Sequence, residues 1–223
     1  EIIATIFNSI KKNDKFILSK GHTGILLYCM LEKLKILKKS TLNGYCKKNG
    51  MLGVHPEIHF KGVEASTGSL GHGLGLAAGL GISKKYKNIF VLLSDGELME
   101  GSVWESVLMI SSFKISNIIV IIDYNDLQSA TWSSKTHPSL HPIDKKFTSF
   151  GWDAFVCNGH DPIALDKIIK KKNKKKPLCI IAKTIKGYPI SFMKNVPMWH
   201  YRSPNKKEFN LANNELNNFI IKK

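Results

Sequence analysis

Residues 89–125 read IFVLLSDGELMEGSVWESVLMISSFKISNIIVIIDYN, and the order of apolar runs in this stretch sets the architecture. Residues 89–93 are a continuous apolar run that stops at Ser94-Asp95-Gly96. Residues 103–113 then space their apolar side chains as one face of a helix does. Residues 118–122 form a second apolar run, ending in Asp123-Tyr124-Asn125. Strands that are apolar on both faces and joined by a helix belong in a parallel sheet covered on both sides. In such a sheet ligands bind beyond the carboxyl ends of the strands. Asp95-Gly96 and Asn125 both occupy such ends.

The flanking sequence extends the same pattern. Downstream come a Ser/Thr/His/Pro loop at 129–142, a short helix at 143–150 and a strand at 154–156. A helix opened by Pro162 runs to about Lys172, and a further strand covers 178–184. Upstream, 23–37 reads as a helix. A second helix at 69–83, rich in Gly and Ala, suits close packing against its neighbours. Residues 205–223 are a polar tail with one weak helical pattern. The expected fold class is α/β, a parallel sheet with helices on both faces, in one domain.

The bulk numbers narrow the function. A chain of 223 residues with 43% hydrophobic content can bury one substantial core. No apolar run is long enough to span a bilayer. The first twelve residues do not read as a signal peptide, because their charges follow the apolar stretch. A chain that opens on Glu1 is expected to be a piece of a longer product. Cys29, Cys46, Cys157 and Cys179 are scattered, as in reduced thiols of a cytoplasmic protein. The net charge of +16 admits a basic surface for nucleic acid. Yet the excess is nearly all Lys, without interleaved aromatics, and reads better as compositional drift on solvated faces.

Asp95 and Asn125 carry hard oxygen donors. Mg2+ takes few protein ligands and completes its shell with water and phosphate oxygens. Gly96 beside the Asp lets a backbone N–H approach a phosphate. Asp-Gly is also an ordinary turn and Asn often ends strands, so these residues alone leave a plain turn open.

The surrounding residues add a resemblance. SDGELMEGSVWES (94–106) followed by NIIVIIDYNDLQS (117–129) resembles the thiamine diphosphate motif, and in this form is similar to transketolases, in particular the amino-terminal chain of split transketolases. The resemblance extends through Phe16–His22, Gly53-Val-His55-Pro56, 62–73, Thr184-Ile-Lys-Gly187 and 199–204. It implies a diphosphate-binding domain over residues 1–204, amino-terminally incomplete, followed by the 205–223 tail.

By that resemblance Asp95, the Asn125 side chain and the Leu127 carbonyl hold Mg2+, or another divalent cation such as Ca2+ or Mn2+. The Gly96 N–H touches the diphosphate, and His22 and His200 bond it from either side. Gly68 and Leu70 contact the aminopyrimidine through their backbones, with the start of the 69–83 helix offering free N–H groups. His55 faces the substrate and the reactive carbon. Glu100 sits at a dimer interface in a carboxylate relay. The remaining His residues get no role, and Trp104 and Trp199 are read as packing residues. The implied reaction is transfer of a two-carbon ketol unit between sugar phosphates.

Two departures stand out. Ser94 replaces the first Gly of the family's Gly-Asp-Gly, an exchange expected to be accommodated. The pyrimidine-binding domain is absent, which implies a C-terminal transketolase subunit or domain as partner, in a dimer of cofactor domains or a heterotetramer. Other readings are a deoxyxylulose phosphate synthase, a specialised sugar transketolase, a catalytically decayed remnant, or a basic nucleic-acid-binding module.

Overall fold

The computed structural model describes residues 1–221. In chain order the helices are α1 (Ile2–Ser9), α2 (Gly24–Lys33), α3 (Lys39–Leu42), α4 (His72–Ile82), α5 (Gly101–Ser112), α6 (Ser133–Thr136), α7 (Ile143–Ser149), α8 (Pro162–Lys170) and α9 (Lys206–Ile221). The strands are β1 (Lys15–Leu18), β2 (Ile89–Ser94), β3 (Ile118–Tyr124), β4 (Leu127–Gln128), β5 (Thr131–Trp132), β6 (Asp153–Asn158) and β7 (Leu178–Lys183). Five of them form one sheet in the order β1-β2-β3-β7-β6, every pair parallel. β4 and β5 make a small antiparallel hairpin just beyond the end of β3.

The apolar runs give a sheet with two buried faces because successive side chains alternate sides. Ile89, Val91 and Leu93, with Ile118, Val120 and Ile122, pack against Leu74 and Ala77 of α4, Val103 and Val107 of α5, and Phe147 of α7. Phe90, Leu92, Ile119 and Ile121 face the other way, against Ile3 and Ile6 of α1, Leu27 and Leu31 of α2, and Leu165 and Ile169 of α8. Each such fully buried aliphatic side chain contributes about 1.5–3 kcal/mol over its exposed state. The parallel α/β reading of 89–125 is therefore the architecture observed.

Some boundaries differ from the sequence reading. The Gly/Ala-rich helix begins at His72, not Ser69. Gly71 stands before it at φ 88°, a left-handed conformation that Gly adopts without strain. The helix at 23–37 starts as a short 3-10 turn over Gly21–Thr23, and its α-helical part ends at Lys33. α1 and the edge strand β1 emerge from the first twenty residues, whose sequence pattern points to no element. Within the polar tail, whose last two residues lie outside the described ones, Lys206–Ile221 form the helix α9, held by Phe219 on Tyr188 at 5.3 Å between ring centroids and by the Glu215 carboxylate, which accepts from Ser191 N–H and Oγ–H. Among the described residues no helix is long and apolar enough to cross a membrane.

Candidate functional site

The carboxyl ends of β1, β2, β3 and β7 converge on one place. Ser94 pairs with Asp123 in register, and the Asp95 amide donates to the Asp123 carbonyl at 3.3 Å. The ends of β2 and β3 therefore lie side by side, as the shared connection through α5 implies.

The acidic side of the site is built there. Asp95 is wholly buried. Its Oδ1 accepts from the Gly96 N–H at 3.0 Å and its Oδ2 from Ser133 Oγ at 3.0 Å. Burial pushes its carboxyl up to about 6; the Ser133 hydroxyl offsets part of this, and the nearby Asp123 adds to it. The Asn125 side-chain oxygen accepts from the Leu127 N–H at 3.0 Å, fixing the turn into the hairpin. Asp126, at φ 60°, accepts from Ser133 Oγ, Ser134 N–H and Ser134 Oγ, and so ties the hairpin to α6.

The basic side faces it from β1 and β7. Lys20 is buried, and its ammonium donates to Asp123 Oδ2 at 2.6 Å. Thr184 Oγ donates to the other Asp123 oxygen at 2.5 Å. Burial alone would raise the Asp123 carboxyl, but Lys20 and these hydrogen bonds hold it below the usual carboxylate range. Beyond Asp123 the cations accumulate. Lys186 Nζ lies 2.7 Å from His200 Nδ1, and the His22 and His200 ring centroids are 5.7 Å apart. Burial, then Lys20, His200, Lys186 and His55, push His22 down to about 4. His200 and Lys186 are lowered too, by burial first and then by the neighbouring cations. A cavity of about 550 Å³ opens between the two sides, lined by Lys20, His22, Asp123, Asn125, Lys186 and His200 among others.

The glycine loop packs against the turn that carries His22, where a Cβ at Gly21 would stand 2.8 Å from the Gly68 nitrogen. A Cβ at Gly68 would stand 3.1 Å from the His55 ring, so the two are in contact distance. His55 is exposed, and its carbonyl accepts from the Tyr28 hydroxyl at 2.8 Å. Leu70 is half-buried. The Gly71 N–H at the head of α4 is not free, contrary to the expectation for the start of that helix; it donates to the buried Glu97 carboxylate at 2.8 Å. Burial raises the Glu97 carboxyl. Glu100 is exposed at the start of α5.

A divalent cation and a diphosphate fit what is present. Among the described residues no three His, Cys, Asp or Glu side chains could hold a metal by themselves. The Asp95 carboxylate and the Asn125 amide oxygen at adjacent strand ends are hard oxygen donors of the kind a divalent cation takes with water and phosphate oxygens. Among the described residues the buried Asp95 has no ion-pair partner in contact; Asp123 repels it, and Lys186 attracts it without touching it. A Cβ at Gly96 would meet the Gln128 side chain at 3.0 Å, a tight contact that Gly avoids, leaving the approach to this N–H open.

Comparison with known proteins agrees with this geometry. Residues 7–216 match the family described as transketolase, thiamine diphosphate binding domain. The chain belongs to the transketolase family, as its thiamine diphosphate-binding domain. It is 37% identical over 232 residues to an apulose-4-phosphate transketolase subunit of Actinobacillus succinogenes, covering 97% of this chain and 84% of that one. The subunit of the same name from Phocaeicola vulgatus is 34% identical, with 95% and 77% covered. Human transketolase is 37% identical over 196 residues, or 84% of this chain and 31% of the human one. The crystal structure of transketolase from Campylobacter jejuni superposes with a TM-score of 0.81 at 26% identity, over 86% of this chain and 34% of the other. The chain thus spans about a third of the single-chain transketolases and most of the length of the two apulose-4-phosphate transketolase subunits, as the amino-terminal half of a split transketolase.

Of the residues singled out in the sequence, Asp95, Gly96, Asn125 and Leu127 lie together at the β2 and β3 ends. His22 and His200 lie together across the cavity, and Gly68 and Leu70 lie on the glycine loop, where Gly68 meets the His55 ring. Lys20, Lys186, Asp123, Ser133 and Glu97 carry no assignment from the sequence. The first two stand inside segments that resemble the family, and Asp123 closes an apolar strand with a charge. Ser94, the departure from the family motif, accepts from the Glu97 N–H at 3.2 Å, so its hydroxyl caps the turn. Trp104 packs between Phe147 and Phe150, and Trp199 against Phe192, as expected of packing residues.

Proposed function

We propose that this chain binds thiamine diphosphate with a divalent cation, Mg2+ or a substitute such as Ca2+ or Mn2+, and transfers two-carbon ketol units between sugar phosphates once a C-terminal partner completes the site. The observation that carries the reading is the facing of oxygen donors and cations across one cavity at the strand ends. Asp95 and Asn125 offer hard oxygens; Lys20 and Lys186 offer positive charge, and the His22 and His200 rings, favoured in their neutral form by burial and the neighbouring cations, offer N–H donors. A metal-bound diphosphate presents both complements at once.

In this reading Asp95, Asn125 Oδ1 and the Leu127 carbonyl hold the cation. The Gly96 N–H, His22, His200 and Lys186 bond the diphosphate. The backbones of Gly68 and Leu70 orient the aminopyrimidine, and His55 faces the sugar. Glu100, exposed at the start of α5, meets a second cofactor domain. When bound, thiamine diphosphate supplies the electron sink for breaking and remaking the carbon–carbon bond. Residues 1–204 form the cofactor domain, and α9 extends it. The two relatives' being named as subunits supports a separate partner chain, assembled around a dimer of cofactor domains, and the scattered cysteines support a site in the cytoplasm.

The test is reconstitution. The chain is mixed with a C-terminal transketolase subunit, thiamine diphosphate and Mg2+, and ketol transfer is followed on a panel of ketose and aldose phosphates that includes apulose 4-phosphate. Transfer by the mixture and by neither half alone supports the proposal. Absence of transfer with every donor, with cofactor bound, would make the chain a binding remnant.

A further inference from the structure

Glu97 is a wholly buried carboxylate that neither lines the cavity nor offers itself to a metal. Burying such a group is costly, and its partners show what it holds together. Its Oε1 accepts from Ser19 Oγ at 2.5 Å and from the Gly71 N–H at 2.8 Å. Its own N–H donates to Ser94 Oγ at 3.2 Å. Its second oxygen is buried without a hydrogen-bond partner among the described residues. One residue thus joins three separate pieces of chain: the end of β1, the end of the glycine loop and the end of β2.

Each piece carries residues that the functional reading above places on the cofactor, and the first also lines the cavity through Lys20 and His22. Ser19 immediately precedes Lys20, with His22 in the same turn. Gly71 closes the loop that holds Gly68 and Leu70. Ser94 immediately precedes Asp95 and Gly96. Ser19 is wholly buried and packs on α4, where a Cβ at Gly73 would overlap its hydroxyl at 2.3 Å. The β1 and β2 ends are already joined by the Ser19 N–H on the Leu92 carbonyl, and the loop meets the β1 strand through the Thr67 hydroxyl on the Leu18 carbonyl at 2.7 Å; the Glu97 carboxylate adds the tie at the far end of the loop, on Gly71.

We infer that Glu97 is a positioning residue, whose Oε1 clamps the glycine loop to the β1 end and so sets the loop backbone against the Asp95–Gly96 end of the cofactor site. The inference rests on the thiamine diphosphate reading. The loop lies on the aminopyrimidine side, so loosening it removes affinity for the whole cofactor and spares affinity for the diphosphate end. A single acceptor atom forms both bonds, so Gln, which keeps that atom, preserves them. Removing the acceptor strands two buried donors at once.

The experiment compares wild type, E97A, E97Q and S19A in the full chain. Hydrogen exchange over residues 66–73 is read without ligand, and calorimetry then uses Mg2+ with thiamine diphosphate and, separately, Mg2+ with inorganic diphosphate. In E97A the 66–73 amides exchange faster while those of β2 and β3 keep their protection, which also shows that the fold persists. Its affinity for thiamine diphosphate falls about tenfold or more, with diphosphate affinity within about threefold. S19A shows a smaller loss, and E97Q stays near wild type. Equal exchange and affinity in E97A and wild type would overturn the inference, as would equal losses for both ligands or an E97Q as weak as E97A. A wild type that binds neither ligand overturns the functional reading and this role with it. A wild type that binds while E97A binds equally well overturns only the role of Glu97.

Discussion

The two sides of the cavity solve opposite electrostatic problems. On the side of β2 and β3, Asp95, Asn125 and Asp126 are held by Ser133, Ser134 and backbone N–H groups, so their geometry is set in advance. What that side lacks is positive charge at Asp95, whose carboxyl burial pushes up to about 6. On the other side Lys20, His22, Lys186 and His200 crowd together, and burial and mutual repulsion push His22 down to about 4. That side lacks negative charge. Each deficit is relieved only in part by the other: Asp123 bonds Lys20 and Thr184 directly, and Lys186 feels Asp123 and Asp95 without a direct bond to either among the described residues. A protein that only needed stability would not gather uncompensated charge at one cavity. Each side is instead complementary to one half of a metal–diphosphate pair.

The strongest perturbation removes the acidic side. Asp95→Ala deletes the carboxylate donor and should weaken Mg2+-dependent thiamine diphosphate binding about a hundredfold or more in calorimetry. The same variant, melted without ligand, should be as stable as wild type or slightly more so, because the lost carboxylate was costly to bury. Lys186→Met breaks the basic side. Cofactor affinity should fall about tenfold or more, and the dependence of binding on salt should become shallower.

A change of pH separates the two sides, which titrate with opposite sign. His22 in the folded chain lies at about 4, below its ordinary 6.5, so between these values the unfolded chain holds the extra proton. Stability from His22 is present above pH 6.5 and declines as pH falls toward 4. Asp95 lies at about 6, above its ordinary 3.8, so there the folded chain holds the extra proton. Its contribution grows as pH falls from 6 toward 3.8. The two slopes oppose each other in the ligand-free protein. Chemical denaturation from pH 6.5 to 4 should show His22→Asn losing less stability than wild type as pH drops, and Asp95→Asn losing more. Parallel curves for both variants would contradict the assignment. Ser94→Gly should do least: it restores the family residue but removes the hydroxyl that caps the Glu97 turn. It should cost about 0.5–1.5 kcal/mol in denaturation and leave cofactor affinity within about threefold.

How much of this the sequence showed follows from what kind of signal each part leaves. The β2–α5–β3 unit is legible because alternate burial on two faces demands unbroken apolar strands. Asp95 and Asn125 are legible because they end those strands. α4 is shorter than its sequence suggests, since 69–71 look helical until the left-handed Gly71 and its bond to Glu97 are seen. Lys20 and Lys186 leave no signal of their own: in a chain with 33 Lys and Arg residues, a cation aimed into a cavity reads like one on a solvated face. Glu97 looks like an ordinary turn residue, because its partners Ser19 and Gly71 are remote in sequence. α9 is faint because its apolar positions are few, and its anchors Tyr188 and Ser191 lie on another segment.

The complementarity of the two sides is best put to the test by calorimetric titrations of the wild-type chain with Mg2+ alone, thiamine diphosphate alone, and the two together. Weak binding of each component is expected, with binding of the pair tighter by about tenfold or more, because each relieves the charge deficit the other leaves. Thiamine diphosphate binding of equal strength with and without Mg2+, or no binding of the pair, would contradict it.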